Sequence, residues 1–137
     1  MLFLFMFFGE AIGLGALSRV DVRITNKMAS NVIIHCKSKD DDLGIHVIYS
    51  GQSYGWGFKV NFWQTTLFFC GFTTEKGRGV YDIYKAGRDD FRCLNDFGSG
   101  DTCFWDVKDD GVHGYVGVEN DIWFKWTMNR IVRQVNH

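Results

Sequence analysis

The chain has 137 residues, 46% of them hydrophobic and 17% aromatic, which suits one compact domain and excludes both a second independent core and a long disordered protein. Lys plus Arg number 15 against 16 for Asp plus Glu, a formal charge of -1 that builds no field for nucleic acid or anionic lipid, so neither is expected as a partner. With 16 Gly, 13 Phe and no Pro, the composition is that of a turn-rich β protein rather than a helical bundle.

Met1 to Phe8 is an almost unbroken run of Leu, Phe and Met, and Ala16-Leu17-Ser18 has the small-x-small form that a signal peptidase reads. The run stops at Glu10, well short of the about 20 apolar residues that span a bilayer, so residues 1–18 are expected to be a cleaved signal peptide and not an anchor. Removing them also removes Glu10, and 15 cations then balance 15 anions in a chain starting at Arg19.

From there the apolar residues recur at period two. Val20, Val22 and Ile24 alternate with Asp21, Arg23 and Thr25, the mark of a strand with one dry face and one wet face. Asn31 to Lys37 is a second strand, closed by the polar run Ser38 to Gly44, which reads as an exposed loop. Ile45 to Ser50 and Tyr54 to Phe58 alternate again around a turn at Ser50-Gly51-Gln52-Ser53 and form a hairpin. Thr65 to Phe72 is a β-branched and aromatic run suited to a buried strand, followed by a polar connection and a strand from Val80 to Lys85. After a loop at Asp96 to Gly100 come strands at Thr102 to Val107, Val112 to Val118 and Ile122 to Thr127, with Lys108 to Gly111 as a turn. Residues 128–137 form a short basic tail carrying Arg130 and Arg133. About eight or nine short strands at this spacing predict an all-β chain, an antiparallel β-sandwich over residues 19–127.

Cys36, Cys70, Cys93 and Cys103 lack the close C-x-x-C spacing of zinc ligands, so two disulfides in an oxidising compartment are expected. Three pairings are open; the preferred one joins Cys36 to Cys103 and Cys70 to Cys93.

The order of particular residues carries a resemblance. His35-Cys36-Lys37-Ser38-Lys39-Asp40-Asp41-Asp42-Leu43-Gly44, then Tyr54-x-Trp56-x-Phe58 and Thr66-Leu67-Phe68-Phe69-Cys70, resembles the plant self-incompatibility S-protein homologue family. Downstream, Tyr81-Asp82-Ile83-Tyr84 looks like the family's F-D-x-Y segment, with Tyr in place of Phe. Arg88-Asp89 precedes Cys93, and Cys103-x-Trp105-x-Val107 matches a C-x-W block, so the likeness runs from Val22 to Gly114. It implies a small secreted, disulfide-bonded β-sandwich found in plants. The family is named for pistil proteins that act as ligands in rejecting self pollen, and the resemblance implies no enzyme activity.

Asp40, Asp41 and Asp42 are consecutive, so on an extended loop they point apart and lack the D-x-D-x-D-G spacing of a calcium site. His35, His46, His113 and His137 accompany no G-x-S-x-G elbow, and Asp82, Asp89, Asp90, Asp106 and Asp109 are common turn residues before they are a glycosidase pair. Trp56 and Trp105 are assigned to the core, while Trp63, Trp123 and Trp126 are candidates for a groove. No N-x-S/T glycosylation acceptor occurs. No metal, cofactor or catalytic residue is therefore assigned.

The leading reading is a monomeric extracellular ligand whose loops are read by a plant cell-surface receptor, with Lys39, Asp40, Asp41 and Asp42 as the candidate recognition loop. The alternative is a cell-wall carbohydrate-binding or hydrolytic module that uses exposed Trp and paired Asp.

Overall fold

In a computed structural model, residues 19–60, 65–90, 92–93 and 101–129 are described. The expected signal peptide and most of the basic tail lie outside these residues, as do Trp63, His137 and the expected loop at 96–100.

Among the described residues, ten strands form two five-stranded sheets. The first sheet holds β4 (Ser53–Lys59), β1 (Arg19–Asn26), β7 (Asp101–Lys108), β8 (Gly111–Val116) and β9 (Glu119–Lys125), in that order. The second holds β10 (Met128–Asn129), β6 (Gly77–Lys85), β5 (Leu67–Thr73), β2 (Val32–Lys37) and β3 (Asp42–Ile48). All neighbours pair antiparallel except β1 and β7, which run parallel, Ile24 beside Trp105. The expected sandwich is what forms, with this one parallel pair inside it. Chain order alone does not reveal it, because the partner of β1 arrives some 80 residues later. The expected hairpin of Ile45–Ser50 with Tyr54–Phe58 does not form, because β3 pairs with β2 in the second sheet while the chain crosses to pair β4 with β1 in the first.

The period-two alternation places alternate side chains between the sheets. Val20, Val22 and Ile24 of β1 face Val32, Ile34, Phe72 and Ile83 of the other sheet's strands in one buried cluster. Trp105 is fully buried at its centre, stacked on Phe124 with ring centroids 5.7 Å apart. Its neighbour across β8 must be a glycine, since a Cβ on Gly114 would lie 2.8 Å from the indole ring. Trp56 is partly buried against the same core, so both tryptophans expected inside are there.

The cysteines pair differently from the preferred expectation. Cys36 bonds to Cys70, and Cys93 to Cys103. Strand order decides this: β2 lies beside β5 with Cys36 directly opposite Cys70, their Cα atoms 4.0 Å apart. Cys103, on β7, belongs to the other sheet and instead anchors the turn that carries Cys93. Each bond limits the unfolded chain according to the loop it closes. Sequence separations of 34 and 10 residues correspond to about 3.8 and about 2.7 kcal/mol in the chain-entropy account. Replacing Cys36 and Cys70 together by Ala should therefore cost about 1 kcal/mol more than replacing Cys93 and Cys103, as measured by denaturant unfolding. Equal or reversed losses would contradict this assignment of loop sizes.

Candidate functional site

The candidate recognition loop is short because β3 starts earlier than its apolar alternation suggests, at Asp42 rather than Ile45. The backbone N–H of Ser38 donates to the Asp41 carbonyl (2.8 Å), and the Asp41 N–H donates to the Ser38 hydroxyl (3.1 Å). These bonds close a tight turn that leaves Lys39, Asp40 and Asp41 exposed at its apex. Asp42 has a different job. Its carboxylate accepts from the Gly44 N–H at 2.9 Å and from His35 Nε2 at 2.6 Å, bracing the loop against β2. The Gly44 N–H, and next the His35 hydrogen bond, hold the Asp42 carboxyl below its ordinary range. The four residues thus divide into three presented side chains and one brace. Below the apex, an open cleft of about 390 Å³ lies between the loop and Phe58, Lys59 and residues 65–69.

The second component of this region was not legible as a surface. In β3 the alternation is real, but its phase puts Ile48 and His46 inward and Ile45 and Val47 outward. Ile45 is 68% exposed, and Val80 on β6 is 66% exposed. Ile33 lies opposite Val47, and Ile45, His35, Gly71 and Val80 follow one another across four strands. The outer face of the second sheet is consequently an exposed apolar surface, with the acidic apex at one end of its β2–β3 hairpin. Ile48, standing in opposite phase to Ile45 and Val47 on the same strand, is the signal that one of the two sets must face outward.

His35, His46, His113 and Asp90 are committed to structure. His35 and His46 sit on opposite faces of their sheet. His46 Nε2 donates to the Leu43 carbonyl (2.7 Å) and its ring stacks on Tyr54 at 4.3 Å. His113 is held between two acceptors, Asp110 (2.7 Å) and Asn120 Oδ1 (2.8 Å), the Asn120 amide being oriented by the Gly114 and Ile122 carbonyls. Trp123 and Trp126, candidates for a groove, act as struts of the β7–β8 turn: their indole N–H groups donate to the carbonyls of Asp110 and Asp109. Trp123 is also flanked by the His113 ring and the Lys125 ammonium. Asp90 accepts from the Gly87 N–H and the Tyr84 hydroxyl, and burial, followed by that aspartate's charge, drives the Tyr84 phenol well above its ordinary range. Among the described residues, no group of three or more His, Cys, Asp or Glu is placed to hold a metal ion.

Asp89 is fully buried, and sequence reasoning missed its importance. It accepts from Arg88 (2.7 Å), from Arg92 (2.7 Å) and from the Lys85 N–H (2.8 Å). Arg92 reaches on to both carboxylate oxygens of Asp121 at 2.5 Å, while both guanidinium groups lie over Trp105 at 5.7 and 5.6 Å. The Arg92 pairing in turn holds the Asp121 carboxyl below its ordinary range. The hub ties the Cys93 turn to β9 across 29 residues of sequence.

A family model described as plant self-incompatibility protein S1 matches residues 21–126. The chain belongs to that family. S-protein homolog 6 of Arabidopsis thaliana is 45% identical over 117 residues, covering 83% of this chain and 79% of the relative. Self-incompatibility protein S1 of Papaver rhoeas is 35% identical over 108 residues, covering 76% and 73%. Among solved structures, the chain is similar to an SPH (self-incompatibility protein homologue) protein, from a widespread family of small, highly stable, secreted plant proteins. The TM-score is 0.57 at 16% identity, covering 80% of this chain and 96% of that one, a likeness of fold. Membership supports a secreted, signalling-type plant protein, and these families are not known as enzymes.

The matched Arg88-Asp89 pair and the C-x-W block meet at the buried hub, which makes a stability prediction. Asp89→Ala leaves two largely buried guanidinium groups without their shared carboxylate and should cost about 3–5 kcal/mol, whereas Asp40→Ala at the exposed apex should stay within about 0.5 kcal/mol. Urea unfolding of both variants distinguishes the hub from a surface ion pair, which would lose less than about 1 kcal/mol.

Proposed function

We propose that this S-protein homologue is an extracellular ligand that a plant membrane receptor reads through the outer face of the second sheet and the acidic apex beside it. The observation that supports this most is the exposed apolar set Ile33, Ile45, Val47 and Val80 on the outer face of the sheet whose β2 and β5 are joined by Cys36–Cys70. Desolvating such a row supplies affinity, and Asp40 and Asp41 at its end supply orientation. The partner surface is correspondingly apolar with Lys or Arg at one margin, and the cleft under the apex has room for one such side chain. The rigid sheet means little ordering cost on binding. The role carries no catalytic step and no cofactor.

Fluorescently labelled protein applied to membranes of the responding tissue tests the reading. Wild type should bind saturably and in a protease-sensitive manner. Val47→Asp, or Asp40→Lys combined with Asp41→Lys, should weaken binding by about tenfold or more without lowering thermal stability appreciably. Unchanged binding by both variants would overturn the proposed surface.

A further inference from the structure

The opposite face of the molecule holds a second cleft that the receptor reading does not use. It is open, about 500 Å³, and lies on the outer side of the first sheet, lined by Arg19, Asp21, Arg23, Thr102 and Phe104 over a floor of Gly55 and Gly57. Arg23 stands in register between Gly55 on β4 and Phe104 on β7. The cleft exists because β4 has no side chain at Gly55, where even a Cβ would lie 2.7 Å from the Val22 carbonyl.

The lining is chemically uneven. Arg19 shares its charge with Asp21 at 3.6 Å, and the pair lies over Gly57. Arg23 is exposed and has no ion-pair partner among the described residues. Phe104 beside it is 48% exposed, an aromatic surface turned to solvent next to an uncommitted guanidinium. Thr102 lines the same depression.

We infer that this cleft binds an acidic saccharide through one uronate residue, its carboxylate forked by Arg23 and the C–H face of its ring laid on Phe104. A planar guanidinium matches a carboxylate with two parallel N–H···O bonds, and an exposed aromatic ring suits the apolar face of a pyranose. Thr102 offers a hydroxyl partner for the ring's own hydroxyls. An acidic peptide fits less well, because β1 is hydrogen-bonded on both sides, to β4 and β7. β1, which carries Arg19, Asp21 and Arg23, therefore has no free backbone groups with which an extended main chain could pair, and the unpaired edge of β4 lies on the side away from Arg23 and Phe104. A neutral sugar would leave Arg23 unanswered. The site uses neither the acidic apex nor the second sheet, so it stands independently of the receptor reading and would let the protein hold an anionic polysaccharide while its other face stays free.

Isothermal titration and backbone NMR with trigalacturonate, galactotriose and a short polyglutamate test the inference. Trigalacturonate should bind and shift the amides of Gly55, Thr102 and Phe104, and its affinity should fall with added salt. Arg23→Gln and Phe104→Ala should each reduce the affinity by about tenfold or more. Asp21→Asn, which removes the one carboxylate in the cleft and releases Arg19, should tighten binding, an outcome that no folding defect would mimic. The inference is overturned if trigalacturonate does not bind at millimolar concentration, or if galactotriose or polyglutamate binds as well. It is equally overturned if Arg23→Gln, folded as judged by its spectrum, binds like wild type.

Discussion

The register between β2 and β5 governs what this protein shows to its surroundings. Side chains alternate along a strand, so slipping β2 by one residue would send Ile34 out and Ile33 in, and would do the same to each position it pairs. Cys36 and Cys70, opposite one another and covalently joined, forbid that slip at the centre of the second sheet. The inner row Val32, Ile34 and Ile48 and the outer row Ile33, Ile45 and Val47 are thus two consequences of one fixed pairing. A crosslink buried in the core in this way shapes the surface as much as it stabilises the interior.

The other half of the molecule is organised by charge. Asp89 is an anion placed where apolar packing would otherwise dominate, and it is tolerated because two guanidinium groups and a backbone N–H meet it. Those guanidinium groups lie over Trp105, and Trp105 is the largest fully buried side chain. The Cys93–Cys103 bond closes the same turn covalently. Ion pair, cation–π contact and disulfide therefore converge on one segment, within the connection between β6 of one sheet and β7 of the other.

Much of the fold could be read from the sequence because period-two alternation is a local property, visible at Val20-Val22-Ile24 without knowing any partner. What depended on partners was not legible. The cysteine connectivity follows from β2 lying beside β5, a fact of strand order. The parallel pairing of β1 with β7 and the Arg92–Asp121 link across 29 residues are likewise long-range. Phase was the subtlest point: Ile45, Val47 and Tyr49 form a regular apolar set, yet the core takes Ile48 from that strand and the half-buried His46 shares its inward side, since Ile34 pairs with His46 and Val32 with Ile48. Of the candidate recognition residues, Lys39, Asp40 and Asp41 emerge as presented side chains. The bracing role of Asp42 needed His35 to be placed beside it.

Function in this account rests on two unlike faces of a stiff sandwich, one apolar with an acidic margin and one bearing an uncommitted arginine beside an exposed ring. The first of these faces depends on the outward set of the second sheet being the one fixed by the Cys36–Cys70 register. Methyl NMR with a soluble paramagnetic agent measures this directly. The Ile33, Ile45 and Val47 methyl signals should broaden strongly while those of Ile34, Ile48 and Val32 stay sharp. Protection of the first set, or broadening of the two sets alike, would contradict the account.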